Sequence, residues 1–402
     1  ALFTGVIADT TPDVSDDDQL TVAIRFVNKE GMPCERLLET KKVVDKSGAG
    51  LAKVILEAIE ERKINTDTIR FQTYDSASAM SGKYKGAQQV LSELLERPII
   101  YTACLPHGSN LAIEHGSNAS SIVRFMYDTL ESLYVYFSAS TKRHFVSSEK
   151  LKDSESCLHI KNLSKTRWSA RPEAIKAVWT SYEEICSSLQ GISSDEKFDK
   201  ESQTKAYGLL TKIKTFDFIF TIMFLKNVMY KMKLMIDTLQ TEELDVSGAL
   251  LIMVETKESL ARIRGAGGAN DDEVKAACLF AKSFDVDAES EFLRIHRKRV
   301  PPRRFDAAPE TGMDLTMTSF YRKQVFEFLD TMISVLSSKI KSLEDAFRPL
   351  IDVLDPNVMP SIDNVKKLSA VFPDDIPDAE ALAAEIEIFM SHCNKKNVER
   401  NN

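Results

Sequence analysis

The sequence predicts an α/β plus all-α chain: a mixed sheet built in the order βββαβαβ, followed by a long block of helices. Three observations predict it. Residues 1 to about 115 alternate between runs rich in β-branched and apolar residues and runs whose apolar residues recur at helical spacing. From about residue 116 onward no convincing strand run remains. Two aspartates in the first segment, Asp9 and Asp75, each close an apolar strand and are followed by polar turns.

Leu2–Ala8, Leu20–Val27 and Cys34–Val44 read as strands, with Asn28-Lys29-Glu30-Gly31 as the turn between the second and third. Gly50–Ile64 carries Leu51, Val54, Ile55, Ala58 and Ile59, which share one face of a helix. Ile69–Tyr74 is a strand, Gly86–Leu95 a helix and Ile99–Ala103 a strand. Three meandering strands are thus followed by strands that right-handed helical crossovers can add in parallel. Beyond about 116, Ile122–Ser138, Arg171–Leu189, Lys205–Leu239, Ser247–Arg264, Asp271–Phe284, Ser319–Leu336 and Asp378–His392 have helical spacing. Breaks fall at Gly191–Ser194, Gly265–Gly268 and Pro301-Pro302, and no fixed-period repeat or low-complexity tract is visible. The expected division is therefore residues 1–115, a sheet-containing core, and residues 116–402, a helical domain.

Composition narrows the function classes. No apolar run approaches the roughly 18 residues needed to span a bilayer, so no membrane partner is expected. The formal net charge is -8, so contact with nucleic acid must rest on local basic patches. Cys34, Cys104, Cys157, Cys186, Cys278 and Cys393 lack paired spacing, which favours a reducing compartment over a disulfide framework. The chain starts with Ala1 rather than Met and enters a strand at once, as an internal piece of a longer protein would.

The most informative stretch is Phe71–His107: a strand, Asp75, the small-residue turn Ser76–Gly82, a helix, a strand, and then Cys104-Leu105-Pro106-His107. If the strands ending in Asp9 and Asp75 are neighbours, their carboxylates form half of a metal-dependent phosphoryl-transfer site. Mg²⁺ suits such a pair, because it is a hard ion that prefers oxygen ligands and retains several waters. Two such ions ~4 Å apart can activate water and stabilise a leaving oxygen. The same residues could instead cap the turns that follow them.

Other constellations are weaker. Cys104 and His107 have ligand-like spacing, but zinc needs four ligands, and the nearby Cys157-x-His159 pair is wrongly spaced. Arg167-Trp168 offers an indole for base stacking or for ordinary helix packing, whereas Trp179 reads as core. The densest basic cluster is Arg294, Arg297, Lys298, Arg299, Arg303 and Arg304, held extended by Pro301-Pro302. It suits phosphate contacts, and equally a solvated loop or a localisation signal. Lys212, Lys214, Lys226, Lys231 and Lys233 read as the solvated side of long helices, with the Met and Phe residues of Phe216–Met235 as core. Ser76 and Ser78 have no neighbouring base for nucleophilic catalysis.

Four motifs in order carry a resemblance: Asp9 in Ile-Ala-Asp-Thr-Thr, Tyr74–Gly82, Cys104-x-x-His107-x-x-Asn110-Leu111, and Thr166-Arg167-Trp168-Ser169. Together they resemble the hAT superfamily of DNA transposases, most closely the transposase-derived group containing zinc finger MYM-type protein 1-like proteins. The resemblance implies a ribonuclease H-like fold whose last helices are separated from the sheet by a long helical insertion, with the rest of the core expected beyond the chain end. It implies that Asp9 and Asp75 are the first two carboxylates of an Asp-Asp-Glu triad that binds Mg²⁺ or Mn²⁺. Arg167 and Trp168 then belong beside a flipped base and His107 beside the bound DNA end. It further implies DNA as partner, a nuclear location, and a homo-oligomer of the full-length protein. The family's third carboxylate lies in a segment rich in Ser, Ala, Glu, Arg and Phe that does not occur here. Glu380, Glu385 and Glu387 lack its flanking residues, and the family's N-terminal zinc finger and C-terminal dimerisation segment are also missing. The chain as it stands is accordingly expected not to cut DNA, and a host-adopted DNA- or protein-binding regulator is the alternative.

Overall fold

A computed structural model describes residues 3–13, 15, 17–152, 159–161, 163, 170–242, 244–265, 269–296, 316–355 and 358–400. The strands are β1 (Thr4–Pro12), β2 (Asp18–Val27), β3 (Pro33–Lys42), β4 (Ile69–Tyr74) and β5 (Ile100–Ala103). Helix α1 (Gly48–Glu61) precedes β4; the short α2 (Ser78–Ser81) and α3 (Ala87–Leu94) lie between β4 and β5; α4 (Leu105–Ala119) follows β5. Apart from a short 3-10 turn and α2, this is the expected βββαβαβ order. Among the described residues every strand lies before residue 104.

The sheet has five strands in the order β3-β2-β1-β4-β5. β1–β2 and β2–β3 are antiparallel, whereas β1–β4 and β4–β5 are parallel. Strand periodicity sorts the side chains. Val6 and Ala8 of β1, and Leu20, Val22 and Ile24 of β2, point into one core, since alternate residues share a face. Leu51, Ile55 and Ile59 of α1 and Leu91 of α3 cover that face. α1 starts where it does because the Ser47 hydroxyl accepts from the Gly50 amide at 3.1 Å, satisfying a donor that the first turn leaves free.

The chain divides into two compact units. The first holds residues 1–108, 241–251 and 338–402; the second holds 109–240 and 252–337. The sheet-to-helix change expected near 115 thus comes at 108–109, but residues 338–402, expected in the helical block, group with the sheet. The reason is apolar: the last part of α14 (Met317–Leu354), with α15 (Ile362–Val371) and α16 (Ala379–Arg400), covers a second sheet surface. Val353, Val365, Leu368 and Phe372 pack there with Phe71 and Ile100. Phe347 stacks on Phe71 with ring centroids 6.0 Å apart.

A part-buried ion pair, with the arginine buried and the aspartate at the surface, links this cover to β4. Arg70 of β4 donates from Nε and Nη2 to the two carboxylate oxygens of Asp375, at 2.5 and 2.8 Å, and its Nη1 donates to the Asp67 and Ile69 carbonyls. A forked, doubly bonded arrangement of this kind is directional as well as strong.

In the second unit, α5 (Ser121–Ser138), α6 (Thr141–Lys152), α7 (Ala170–Thr180), α8 (Tyr182–Ser194), α9 (Lys200–Ile213) and α10 (Phe216–Thr238) lead on to α11 (Val246–Gly265), whose first residues to 251 group with the first unit, and to α12 (Ala269–Lys282) and α13 (Ala288–Ile295). α10 is buried on most of its circumference, including Phe218, Ile222, Leu225, Met229, Met232 and Ile236, so its Met and Phe residues are core. Two stretches expected as single helices are each divided. Lys205–Leu239 breaks at Thr215, whose side chain caps α10 by accepting from the Phe218 amide, and Arg171–Leu189 breaks at Ser181.

Removing Asp375 leaves the buried Arg70 guanidinium without its carboxylate, whereas removing Arg70 leaves a carboxylate that faces water. Arg70→Ala or Asp375→Ala should each cost about 2 kcal/mol in chemical denaturation, the loss of hydrogen bonds to a charged group, and the double change Arg70→Met/Asp375→Leu should cost less than Asp375→Ala. Equal losses from all three variants would mean that the pair's charge is not what holds the cover.

Candidate active site

The parallel pairing of β1 with β4 brings the two aspartates together. Its last paired residues are Ile7 and Thr73, and two positions further along each strand stand Asp9 and Asp75. Both strands run the same way, so both carboxylates lie toward the same end of the sheet; Asp75 follows the last residue of β4, but Asp9 does not end its strand as expected, because β1 continues to Pro12 by pairing with β2. Parity puts them on the same face, because Val6 and Ala8 of β1 and Tyr74 of β4 point into the core covered by α1 and α3. The expectation that they would stand on adjacent strands rested on the βββαβ order, and the register accounts for it.

β5 and the first turn of α4 add Cys104 and His107. The Cys104 amide donates to the Tyr74 carbonyl at 2.8 Å, carrying the β4–β5 pairing to the edge of the site. Asp75 is anchored by the turn that follows it: its Oδ1 accepts from the Ala77 amide at 3.1 Å, and its carbonyl accepts from the Tyr101 hydroxyl at 2.8 Å. Thr73 and Thr102 share a hydrogen bond of 2.8 Å just below.

The electrostatics follow from this crowding. Burial raises the Asp9 carboxyl above its usual range, and the negative charge of Asp75 raises it further. The Thr10 backbone and His107 act in the opposite direction. Asp9 as a residue stays exposed, so its carboxyl is crowded on one side and open to water on the other. Cys104 is pushed up by burial first, with Asp9 and Asp75 adding to the rise and a bond from the His107 backbone opposing it. A thiol held protonated in this way is a poor metal ligand and a poor nucleophile. Tyr101 is likewise driven well above its usual range, by burial and then by Asp75, and it remains a neutral donor. The two aspartates are therefore the anionic centre of the cluster.

Lys339 of α14 completes the surroundings, and no sequence motif marks it. Its Nζ donates to the Ser76 hydroxyl at 3.3 Å, next to Asp75. It lines a cavity of about 60 Å³ with Tyr101, Cys104, Gly108, Ser342 and Leu343. Among the described residues no group of three or more His, Cys, Asp or Glu side chains is placed to hold a metal. Arg167, Trp168, Arg297, Lys298, Arg299, Arg303 and Arg304 lie outside the described residues. Arg294, at the end of α13, is exposed. Trp179 is half-buried, 4.9 Å from the Phe280 ring, with the Lys226 ammonium 4.2 Å above its own ring.

Comparison with known proteins fits this geometry. The family model described as "DUF4371: ZMYM1/FAM200, RNase-like domain" matches residues 1–86, the stretch that supplies both aspartates. The chain is similar to the human (Homo sapiens) "52 kDa repressor of the inhibitor of the protein kinase", at 23% identity over 411 residues, covering 97% of this chain and 51% of that protein. The mouse (Mus musculus) protein of the same name is 23% identical over 413 residues, with the same coverage. The chain thus spans about half the length of the curated relatives it matches. These matches support a transposase-derived ancestry with an RNase-like first segment.

The repulsion between Asp9 and Asp75 makes a testable pH dependence. A carboxyl whose pKa is raised on folding destabilises the folded state once pH exceeds the ordinary aspartate range, and the penalty vanishes when pH falls below that range. Asp75→Asn keeps the Oδ1 acceptor for Ala77 but removes the charge. It should raise Tm at pH 7 by on the order of 1–2 °C, a small gain because solvent screens an open pair. The gain should shrink toward zero by about pH 3, below the ordinary aspartate pKa. A Tm difference independent of pH would mean that the two carboxylates do not sense each other.

Proposed function

We propose that this chain is the catalytic-core region of a hAT-type transposase-derived protein, with a ribonuclease H-like sheet and a helical insertion, whose partner is DNA. One observation carries the reading: two aspartates in register on adjacent parallel strands, Asp75 just past the end of β4 and Asp9 beside it within β1, with burial and then the charge of Asp75 raising the Asp9 carboxyl. Such a pair fits a hard divalent cation, which relieves the repulsion and takes its remaining ligands from water. Asp9 and Asp75 would hold Mg²⁺ or Mn²⁺. A metal bound there supplies an activated water and charge neutralisation at a phosphodiester.

The chain's own groups divide the remaining work. Tyr101 and the Ala77 amide hold the backbone and carboxylate of Asp75. His107, close enough to act on the Asp9 carboxyl, would be the polar group beside the DNA end, and Lys339 sets a cation next to Ser76 at the rim. Arg167 and Trp168 would meet a flipped base, and Arg297, Lys298, Arg299, Arg303 and Arg304 the phosphate backbone. The third carboxylate of an Asp-Asp-Glu triad has no counterpart in the sequence motifs, so the reading assigns DNA binding but no cutting to residues 1–402. The full-length protein is read as nuclear and homo-oligomeric.

A second reading is a host-adopted nuclear regulator that binds DNA or protein without catalysis. What favours it is that both relatives above carry "repressor" in their names.

Supercoiled plasmid incubated with the purified chain in Mg²⁺ or Mn²⁺ should show no nicking above an Asp75→Ala control. DNA binding should survive and weaken steeply as salt rises, as phosphate contacts do. It should fall by at least tenfold when Arg297, Lys298, Arg299, Arg303 and Arg304 are all changed to Ala. Robust nicking lost in Asp75→Ala would mean that a third ligand exists within the chain. Binding indifferent to salt or to the five replacements would remove DNA from that cluster.

A further inference from the structure

The turn that follows α2 presents Lys83-Tyr84-Lys85, and all three residues are exposed. Tyr84 is 88% exposed, which places it with Val44 as the most exposed of the large apolar side chains described. A ring left in water at this cost has no packing role. Among the described residues neither lysine has an acidic partner and Tyr84 has no ring or hydrogen-bond contact, so all three groups are available to a ligand.

The backbone beneath them is pinched tight. The Gly86 amide donates to the Gly82 carbonyl at 3.0 Å, closing a five-residue turn on itself. A Cβ on Gly86 would lie 2.3 Å from the Gly82 nitrogen, and one on Gly82 would lie 2.7 Å from the Ser78 carbonyl oxygen. From below, a Cβ on Gly48, the first residue of α1, would lie 2.0 Å from the Lys85 carbonyl oxygen. Three glycines allow this close approach of backbones. They fix the direction of the exposed tip in advance, so little ordering entropy remains to be lost on binding.

The turn also belongs to the candidate site by connection. Asp75 and Lys83 are separated by a short extended stretch and the four residues of α2. At ~1.5 Å per helical residue and ~3.3 Å per extended one, the tip stands no more than about 25 Å from Asp75, a few nucleotides along a strand. A planar ring between two ammonium groups fits one chemistry well: a base on the ring face, and flanking phosphates on the lysines.

We propose that Lys83, Tyr84 and Lys85 form a clamp for an unpaired DNA end, with a base stacked on Tyr84 and the neighbouring phosphates held by the two lysines. This rests on the reading of Asp9 and Asp75 as a DNA-processing site and deepens it, by naming an unpaired strand rather than duplex as what the site's rim engages.

Fluorescence anisotropy of the full chain with labelled oligonucleotides tests it, using a blunt duplex, the same duplex with a short unpaired 3′ end, and that overhang duplex with the unpaired end made of RNA. Tyr84→Ala should weaken binding of the overhang duplex on the order of tenfold, the loss of about one stacked base, and leave the blunt duplex unchanged. Tyr84→Phe should keep the affinity. Lys83→Gln/Lys85→Gln should lower the slope of log affinity against log salt by about 1.4, two phosphates at ~0.7 each on a single strand. Equal affinity of Tyr84→Ala and the wild type for the overhang, an equal loss on both duplexes, or an unchanged salt slope would each overturn the clamp and leave the reading of the aspartates intact. Tighter binding of the RNA end would overturn the DNA assignment. No binding of any DNA by the wild-type chain would overturn clamp and proposed function together. Tyr84 is 88% exposed, so a melting curve matching the wild type is expected and separates these outcomes from misfolding.

Discussion

The parallel pairing of β1 with β4 is the constraint on which the site depends. β1 is the middle strand of the sheet, antiparallel to β2 on one side and parallel to β4 on the other. An antiparallel neighbour would carry its terminal residue to the opposite end of the sheet. A parallel neighbour needs a crossover, which α1 supplies, and in return it brings two strand ends to one place. With Ile7 opposite Thr73, Asp9 and Asp75 are two residues beyond the last rung of the same ladder. A shift of one residue would turn one carboxylate to the other face and separate the pair.

The environment then keeps other negative charge out. Tyr101 and Cys104 both border the aspartates, and each could ionise at moderately alkaline pH in water. Burial and the aspartates themselves hold both protonated. The groups around the pair are therefore neutral donors, a histidine and, at the rim, a lysine. That pattern concentrates negative potential at two carboxylates and surrounds it with groups that do not compete for a cation. It also carries a cost: like charges at one sheet end disfavour the folded state, and the sheet's core and the Arg70–Asp375 clamp must offset it.

Much of the first segment was legible because its signals are local. Alternation in Leu20–Val27, the helical face of Leu51, Ile55 and Ile59, and an aspartate at the end of each apolar run can all be read within a dozen residues. Amphipathic spacing says that a helix buries a face without saying against what. For that reason the return of residues 338–402 to the sheet could not be read, although their helices were foreseen in part. Arg70 and Asp375 are 305 residues apart, and neither sits in a motif. Lys339 looks like any solvent-facing lysine of a long helix until the fold sets it beside Ser76. An apolar rhythm continues across the helix ends at Ser181 and Thr215, so spacing does not show them; at Thr215 a single side-chain cap starts the next helix.

On the proposed reading the metal-holding carboxylates and the DNA-binding groups are different residues, and this bears on how a core of this kind could serve a regulator. Asp75 lies in a turn, and its structural contribution is an oxygen accepting from the Ala77 amide, which an asparagine would also provide. Loss of its charge would therefore leave the fold intact and relieve Asp9. Groups suited to nucleic acid, such as Tyr84 with its lysines, are exposed and independent of the core packing. Selection on either set leaves the other almost untouched, because distant sites without shared partners contribute nearly additively. Under that reading, such a chain loses metal binding by a single substitution at Asp75 and keeps the exposed Lys83-Tyr84-Lys85 turn, whereas loss of the β1–β4 register would separate the two aspartates.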